Sequence, residues 1–461
     1  MLNAAVPGRG QFRYLNAGWV VGTALAAYFL AWWFHLRPGV FSFDSGFYLS
    51  EAIHGNVSNQ KPFLYARFLQ ATSLGGKYFQ LSVFTQASLV VLLLWRAFAL
   101  ALAQRVRPVW LLLCAVLIAN PYFATMTFYV QNDLLFSCAV IAILLETLNV
   151  ARHGTVTTVG LVVIAIAAPM AFGFRANGWL FLPLWLLLLP VALKRREWRP
   201  IAITALAATA LAYISIVGVD RGDTHELFFP AVIHETVRLA QPGYRYGLGT
   251  RLSPETRSAV GIDRLAHGVR VYWPLYWDTV GFMSGGPELK NLPEAQRRAL
   301  VSSFLRHDLM PNLPSIAAHR LEILTAALLA RAEPVDPYDA PVNMPTRLRL
   351  WKYRTGAEAR NRGVLGRLNH ASIESRAWSW NAGVGALVLL AMTFVAAWRR
   401  DKAMLVTAAL LWVQMAAVFA VAPSAEYRYV LMIYLAPLLL LAATHHSLRA
   451  SPGSEPSQGP A

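Results

Sequence analysis

Ten stretches of mainly apolar residues follow one another along the chain. A helix that crosses a membrane needs roughly 20 such residues, because the hydrocarbon layer offers its backbone no hydrogen-bonding partner. The predicted spans are 17–35, 81–103, 109–124, 134–150, 156–172, 178–193, 200–217, 379–398, 403–422 and 428–445. The pattern predicts an all-α polytopic membrane protein with about ten transmembrane helices.

The long segment 218–377 contains no convincing span. Its best candidate, 316–332, is interrupted by His319, Arg320, Glu322 and Arg331, which favours an amphipathic helix, either soluble or lying on the membrane. The rest of the segment is rich in proline, polar and aromatic residues, with short helical patterns such as 294–309. We expect a small, mixed, mainly helical domain outside the membrane.

The same pattern divides the chain into four parts. We predict an N-terminal transmembrane module over 1–217, in which 36–80 is the first outer loop and carries catalytic residues. The external region 218–377, the C-terminal transmembrane helices 378–446 and a disordered cytoplasmic tail 447–461 complete the chain.

Composition excludes a soluble multi-domain protein. Hydrophobic residues make up 56% of the 461 residues, charged residues only 14%, and the mean hydropathy is +0.43. Soluble proteins carry about 25% charged residues. Both cysteines, Cys114 and Cys138, fall inside apolar stretches, so the sequence offers no disulfide framework and no thiolate metal site.

The net charge of +17 is mainly a signal of topology. With the N-terminus inside, the inner segments hold thirteen Lys and Arg residues and the short outer segments hold six, which favours both termini in the cytoplasm. The external region is nearly balanced, with 21 basic and 16 acidic residues. The excess therefore does not predict a nucleic-acid partner.

Acidic residues are rare outside the external region, and half of them fall in short outer loops. Those outer acids are Asp44, Glu51, Asp133 and Glu426, and the cations near them are Lys61, Arg67, Arg175 and Arg428. A carboxylate at this face is suited to act as general base on an acceptor hydroxyl, and Lys and Arg are suited to bind a phosphate leaving group. The alternative is that these are ordinary polar loop residues.

The local sequences around these charges have a recognisable order. They read Phe41-Ser-Phe-Asp44-Ser-Gly-Phe-Tyr48, then Lys61-Pro-Phe-Leu-Tyr65-Ala-Arg67, Asn120-Pro121 followed by Asp133, Phe174-Arg175-Ala-Asn-Gly178, and Glu426-Tyr-Arg428-Tyr429. In this order and sidedness they resemble the GT-C superfamily, integral-membrane glycosyltransferases that use polyprenyl-phosphate sugars. Relatives include protein O-mannosyltransferases and the aminoarabinose transferase that modifies lipid A. The resemblance covers about residues 12–220 and 378–445 and does not reach the external region.

The resemblance implies a role for each matching residue. Asp44 would be the base that activates the acceptor, Lys61 would bind the donor phosphate, and Arg175 and Arg428 would be further phosphate contacts. Asp133 would be a second catalytic acid that orients the acceptor or a basic partner. Substrate contacts are expected from Tyr48, Glu51, Tyr65, Arg67, Glu426 and Tyr429.

The resemblance also implies the reaction and its place in the cell. A sugar would pass from a polyprenyl-phosphate donor to a hydroxyl of a glycan, lipid or protein, by inverting displacement, on the periplasmic face of the bacterial inner membrane. Several relatives have paired acids after the first helix, whereas Ser45 follows Asp44 here. We therefore expect no cofactor; a divalent metal is the alternative that is not favoured.

Three alternative functions remain open at this stage. A transporter is disfavoured because the charged residues inside the predicted spans, Arg96 and Glu146, lie towards the inner ends, where snorkelling suffices, although Pro169 keeps it open. An O-antigen ligase or polymerase would use diphosphate-linked glycans and favour more arginines in the external region. A membrane scaffold would explain the external region but not the outer charges.

Aromatic residues recur in the external region. They are Tyr244, Tyr246, Tyr272, Trp273, Tyr276, Trp277, Trp351 and Tyr353. Such rings stack on sugars and would suit an acceptor platform, but an interfacial aromatic belt or an ordinary core explains them more simply.

Overall fold

The computed structural model describes residues 9–37, 39–41, 43–54, 62–103, 108–216, 228–241, 252–281, 283, 285–331 and 363–444. Within these ranges the chain is built from helices, and its β-type contacts are isolated bridges such as the one between Val40 and Tyr129. The predicted tail 447–461 lies outside the described residues.

The membrane-embedded part contains helices from both ends of the chain. Those before the external region are α1 (Arg9–Leu36), α2 (Phe43–His54), α3 (Phe63–Thr72), α4 (Phe79–Ala103), α5 (Pro108–Ile118), α6 (Pro121–Thr127), α7 (Asp133–His153), α8 (Thr158–Gly173), α9 (Gly178–Ala192) and α10 (Arg195–Ile214). The region between 228 and 331 holds α11 (Phe229–Leu239), α12 (Pro254–Val260), α13 (Ile262–Val271), α14 (Asp278–Gly281), α15 (Glu294–Ser303) and α16 (Leu313–Leu328). The C-terminal part holds α17 (Val364–Glu374), α18 (Arg376–Ser379), α19 (Ala382–Trp398), α20 (Lys402–Val421) and α21 (Leu431–Thr444).

The chain is an all-α, multi-pass membrane protein. Among the described residues, five helical stretches are long and apolar enough to cross a membrane: Gly18–Leu36, Phe79–Leu102, Asp133–His153, Arg376–Trp398 and Lys402–Val421. Shorter apolar helices cover Thr158–Gly173, Gly178–Ala192 and Tyr427–Leu440. Each predicted span overlaps one of the helices, except that 109–124 is divided between α5 and α6 at Ala119 and Asn120.

Helix α7 forms the centre of the helical bundle. Its residues from Asp133 to Val150 are buried, and it packs against α4, α8, α9, α20 and α21. Helices around it leave large apolar side chains such as Leu187, Leu211 and Phe394 exposed, as expected for surfaces that face lipid. A helix that is apolar on all sides belongs at the centre of such a bundle.

The two charged residues that the sequence placed towards the inner ends of spans pair with each other. Arg96 of α4 donates from Nε and Nη2 to the two carboxylate oxygens of Glu146 in α7, at 2.6 and 3.1 Å. Glu146 is almost fully buried. The two side chains therefore do not snorkel to the membrane surface as expected. They form a bidentate ion pair, which satisfies both charges inside the bundle.

The described part of the external region has its own apolar core. Side chains of α11, α12, α13 and α15, among them Val237 and Leu300, pack together separately from the membrane core. Helix α16 touches both: Ile316 belongs to the external core, whereas Ile323 and Leu324 belong to the membrane core. A helix is thus present over most of the predicted 316–332, with one side packed on the two cores and Glu322 exposed on the other.

Candidate active site

The chain after α1 is held to the chain after α6. The backbone N–H of Val40 donates to the carbonyl of Phe128 at 2.9 Å, and that of Val130 donates back to Val40 at 3.0 Å. The Ser45 hydroxyl, in the first turns of α2, donates to the Val130 carbonyl at 2.9 Å. The chain segments that follow α1 and α6, some 85 residues apart in sequence, therefore meet.

Helix α2 contributes a tyrosine to this junction. The Tyr48 hydroxyl donates to Asn132 Oδ1 at 3.0 Å, and the Asn132 amide donates in turn to the carbonyl of Phe174. This chain of bonds joins α2, the start of α7 and the α8–α9 loop. Asp44 lies in α2 one turn before Tyr48, but its side chain lies outside the described residues, as does Lys61.

Asp133 and Arg175 form a buried ion pair between the start of α7 and the α8–α9 loop. The Asp133 side chain is 5% exposed and that of Arg175 is 21% exposed. A carboxylate in the first turn of a helix also faces the positive end of the helix dipole. Asp133, which was predicted to orient either the acceptor or a basic partner, therefore has a basic partner in Arg175.

The tight turn around Arg175 depends on a close backbone approach at Gly178. A Cβ added to Gly178 would lie 2.3 Å from the Ala171 carbonyl oxygen and 2.5 Å from that of Phe172. The Gly178 N–H donates to the Arg175 carbonyl at 3.0 Å, closing the turn. A larger residue at this position would displace the loop that carries the arginine.

The segment before α21 adds the second half of the charge cluster. The Arg428 guanidinium pairs with Glu426, and the Tyr429 hydroxyl donates to Glu426 Oε1 at 3.3 Å. The guanidinium carbons of Arg175 and Arg428 lie 5.1 and 5.3 Å from the centroid of the Tyr429 ring. Two arginines, each paired with a carboxylate, thus lie against one aromatic ring, and we call Asp133, Arg175, Glu426, Arg428 and Tyr429 the rim cluster.

The rim cluster is balanced in charge. Each guanidinium has a carboxylate partner and a cation–π contact, both of which stabilise a partly desolvated arginine. Burial lowers the pKa of Arg175, and the neighbouring Arg428 lowers it further, while Tyr429 acts in the opposite direction. Arginine nevertheless stays protonated at any ordinary pH. An anion entering here has guanidinium donors to bind, and it competes with the carboxylates that already hold some of them.

A narrow cavity with room for about one water molecule lies beside Arg175 and Tyr429. Its polar part includes Asn177 and Gln414, whose side chains are joined by a hydrogen bond of 2.5 Å. Ser137 also lines it, and its other walls are apolar side chains of α7, α20 and the segment 430–433, which are Phe136, Met415, Val418, Val430, Met432 and Ile433. The cavity thus has a cationic end and mainly apolar walls.

Three of the expected substrate contacts, Glu51, Tyr65 and Arg67, lie on α2 and α3. Tyr65 is fully buried and donates to Gln86 Oε1 at 3.0 Å, while its ring packs edge-on against Tyr48. Arg67 donates to Gln70 within α3, and Glu51 is buried in α2. For Tyr65 we therefore expect a supporting role, because its ring and hydroxyl are already used by the core.

Sequence reasoning missed the uncharged members of the site, Asn132, Asn177 and Gln414. Asn132 and Asn177 sit beside or near charged residues, which give the stronger signal in the sequence. Gln414 is the clearer signal of the three, because a single amide inside the apolar stretch of α20 is costly unless it is hydrogen-bonded.

No metal-binding group emerges from the described ranges, where three or more His, Cys, Asp or Glu side chains nowhere converge as a metal site would require. The side chain of Asp44 lies outside them. The expectation of a metal-independent site therefore stays a prediction.

A second charge cluster is buried where the external region meets the membrane helices. Glu235 of α11 accepts from Arg238 Nε at 2.6 Å and pairs with Arg320 at 2.7 Å and with His319 Nδ1 at 2.7 Å, the latter two on α16. Arg238 also donates to Ser315 at 3.0 Å. Burial alone would raise the pKa of Glu235, but Arg320, His319 and Arg238 together hold it well below its ordinary value.

The two histidines beside this cluster hold the chain that enters α14. His234 Nε2 lies 3.0 Å from the Trp273 carbonyl oxygen, and His319 Nε2 lies 2.8 Å from that of Pro274. Burial, followed by the neighbouring His319, lowers the pKa of His234 to about 3. His234 is therefore neutral in the folded protein at any pH near neutrality.

Comparisons with known proteins give only distant likeness. No protein-family model matches the chain, and no curated protein matches it by sequence. Two solved structures of ArnT from Cupriavidus metallidurans are similar to it over most of its length. The apo structure is 15% identical and covers 94% of this chain and 78% of its own, with a TM-score of 0.32. The structure bound to undecaprenyl phosphate is 14% identical and covers 93% and 78%, with a TM-score of 0.33.

The Asp133–Arg175 pair is expected to contribute strongly to stability. Arg175→Gln leaves the buried Asp133 carboxylate without its cation, which costs about 3 kcal/mol. Unfolding of the purified protein in detergent, measured for Arg175→Gln, Asp133→Asn and the double variant, should give a coupling energy of about 1–3 kcal/mol. The matched control is the exposed pair Arg298–Glu294, for which the same cycle should give less than about 1 kcal/mol. Equal coupling in the two cycles would contradict the pairing described above.

His234 should make the folded protein acid-sensitive. Its pKa is near 6.5 in the unfolded chain and about 3 in the folded protein, so below pH 6.5 the unfolded state binds the extra proton. Stability is therefore fully present above pH 6.5 and falls as the pH is lowered towards 3, by roughly 2 kcal/mol at pH 5. In a series of melting curves from pH 7 to pH 4.5, His234→Asn should reduce this dependence. An unchanged pH slope in that variant would show that His234 is not the group responsible.

Proposed function

We propose that the protein is a membrane glycosyltransferase that moves a sugar from a polyprenyl-phosphate donor to a hydroxyl group of an acceptor. The observation that carries the proposal is the rim cluster, in which two arginines and two carboxylates from three distant parts of the chain surround Tyr429 beside an apolar-walled cavity. The order of the motifs along the sequence supports the same function.

The donor is expected to bind with its phosphate at the arginines and its lipid towards the membrane helices. Arg175 lines the cavity, whose apolar walls would have to move apart to admit the first isoprene units of the lipid. The phosphate would take over guanidinium donors that the carboxylates hold in its absence, with bidentate geometry at Arg428 or Arg175. Lys61 is proposed to complete the phosphate site from the first outer loop.

The exchange of partners offers a reason for pairing each arginine with an acid. While the site is without donor, the carboxylates keep two buried cations compensated. Once phosphate replaces a carboxylate, that carboxylate is free to accept a hydrogen bond from the acceptor hydroxyl. Binding of the donor would thereby prepare the acceptor side of the site.

The proposed reaction is a single displacement at the anomeric carbon. The acceptor hydroxyl gives its proton to Asp44, its oxygen forms the new bond to the anomeric carbon, and the bond to the phosphate oxygen breaks. The electron pair of that bond leaves with the polyprenyl phosphate, and the configuration inverts. Because phosphate is a stable leaving group, preorganised cations contribute more than a general acid would.

The site is proposed to face the periplasm of a bacterial inner membrane, with both termini in the cytoplasm. The balance of Lys and Arg between short loops supports this orientation. No cofactor is required by the proposed chemistry, since Lys61, Arg175 and Arg428 would neutralise the phosphate.

Asp44→Asn is expected to reduce sugar transfer by at least about 10³-fold, because the amide cannot accept the acceptor's proton. The assay is transfer from a synthetic undecaprenyl-phosphate sugar by the full-length protein in nanodiscs, with a panel of sugars and membrane-derived acceptors. Asp263→Asn, at an exposed acid on α13, is the matched control and should keep full activity.

Three results would contradict the proposal. Full activity of Asp44→Asn would remove the proposed base. Activity with diphosphate-linked glycans alone would favour a ligase or polymerase. Saturable solute uptake into proteoliposomes without any lipid-linked sugar would favour a transporter.

A further inference from the structure

An aromatic segment of the external region lies against the chain that leads into the rim cluster. The Ala425 N–H donates to the Leu275 carbonyl at 2.9 Å, and the Trp277 N–H donates to the Ser424 hydroxyl at 3.2 Å. These two bonds run in opposite directions between segments about 150 residues apart in sequence. They hold the segment 273–278 beside the residues that precede Glu426.

The aromatic segment is also held by buried side chains of α11 and α16. His234 and His319, both fully buried, contact the carbonyls of Trp273 and Pro274 through their ring nitrogens. Arg320 donates to the carbonyl of Ala422 at 2.6 Å, at the end of α20. The buried cluster around Glu235 therefore holds both segments of the junction at once.

Two aromatic rings of the segment form a partly accessible edge, in which Trp273 is exposed and Tyr276 is half-buried. Trp273 is 44% exposed, and its ring centroid lies 6.0 Å from that of Tyr276, with 48° between the planes. Trp273 and Tyr276 together are called the aromatic edge. Inclined rings at this separation present apolar faces to a ring-shaped ligand without stacking fully on each other.

Tyr276 is close in space to the charges of the rim cluster. Burial raises the pKa of its phenol, and the carboxylates of Glu426 and Asp278 raise it further. The hydroxyl therefore stays protonated and can donate a hydrogen bond. Apolar ring faces next to hydroxyl and carboxylate groups match a sugar, which has a C–H face and a polar rim.

We propose that the aromatic edge binds a sugar ring of the acceptor, so that the acceptor is a glycan or glycolipid. The assignment of this sugar to the acceptor rests on the proposed function. The binding of a sugar at this place rests on the aromatic edge itself. The donor is assigned to the cavity at Arg175, because membrane helices line that cavity. The aromatic edge belongs instead to the external region. The acceptor would then reach the rim cluster past Trp273 and Tyr276.

The first experiment identifies the molecule that contacts the aromatic edge. A photo-crosslinking phenylalanine derivative, benzoyl-phenylalanine, replaces Trp273 in the full-length protein in its native membrane, and the adducts are analysed by mass spectrometry after irradiation. We expect adducts that carry saccharide units. Adducts of acyl chains alone would show that Trp273 belongs to an interfacial belt, and peptide adducts or none would equally overturn the proposal. The control places the same derivative at Trp398, which is 86% exposed at the end of α19 and should give no saccharide adduct.

The second experiment separates this proposal from the proposed function. With the glycan recovered by crosslinking as acceptor, Trp273→Ala and Tyr276→Ala should raise the acceptor KM about 10-fold and leave the KM for undecaprenyl-phosphate sugar unchanged. Trp398→Ala should change neither. An unchanged acceptor KM in both edge variants would overturn the aromatic edge while leaving the glycosyltransferase intact. Saccharide adducts without transfer by the wild-type protein would contradict the proposed function and leave sugar binding in place.

Discussion

The organisation of the outer face depends on keeping buried guanidinium groups compensated. Arg175 reaches into a region from which water is largely excluded, and it is stable there because Asp133 and the face of Tyr429 meet it. That requirement brings α7, the α8–α9 loop and the start of α21 together. The close approach at Gly178 and the hydrogen bonds of Asn132 follow from the same constraint, since they hold the loop where the pair can form.

The external region is coupled to this site through a second set of buried charges. Glu235 compensates Arg238 and Arg320, and Arg320 in turn holds the carbonyl at the end of α20. The segment carrying Glu426 is thus positioned both by the membrane helices and by α16. A change in the external helices would reach the rim cluster through that segment, which gives the two parts of the chain a physical connection.

Much of the helical architecture could be predicted from the sequence, because lipid-facing and buried helices alike require long apolar stretches. The outer charges were also recognisable, since acids are rare outside the external region. The pairing of the charges was not recognisable. No residue near Asp133 in the sequence indicates that Arg175 lies opposite, and none near Glu235 indicates that His319 does. The same holds for Arg96 and Glu146, each of which looked compatible with snorkelling alone. Contacts between distant segments depend on how the helices pack, which the period of a single helix does not reveal.

The central claim is that the arginines of the rim cluster bind the phosphate of a polyprenyl-linked donor. Phosphorus NMR of undecaprenyl phosphate in nanodiscs measures this directly. The wild-type protein should shift or broaden the phosphate resonance in a saturable manner, and the Arg428→Gln variant should lose most of that effect while the protein remains folded. An unperturbed resonance with the wild-type protein, or an identical response from the variant, would contradict the account.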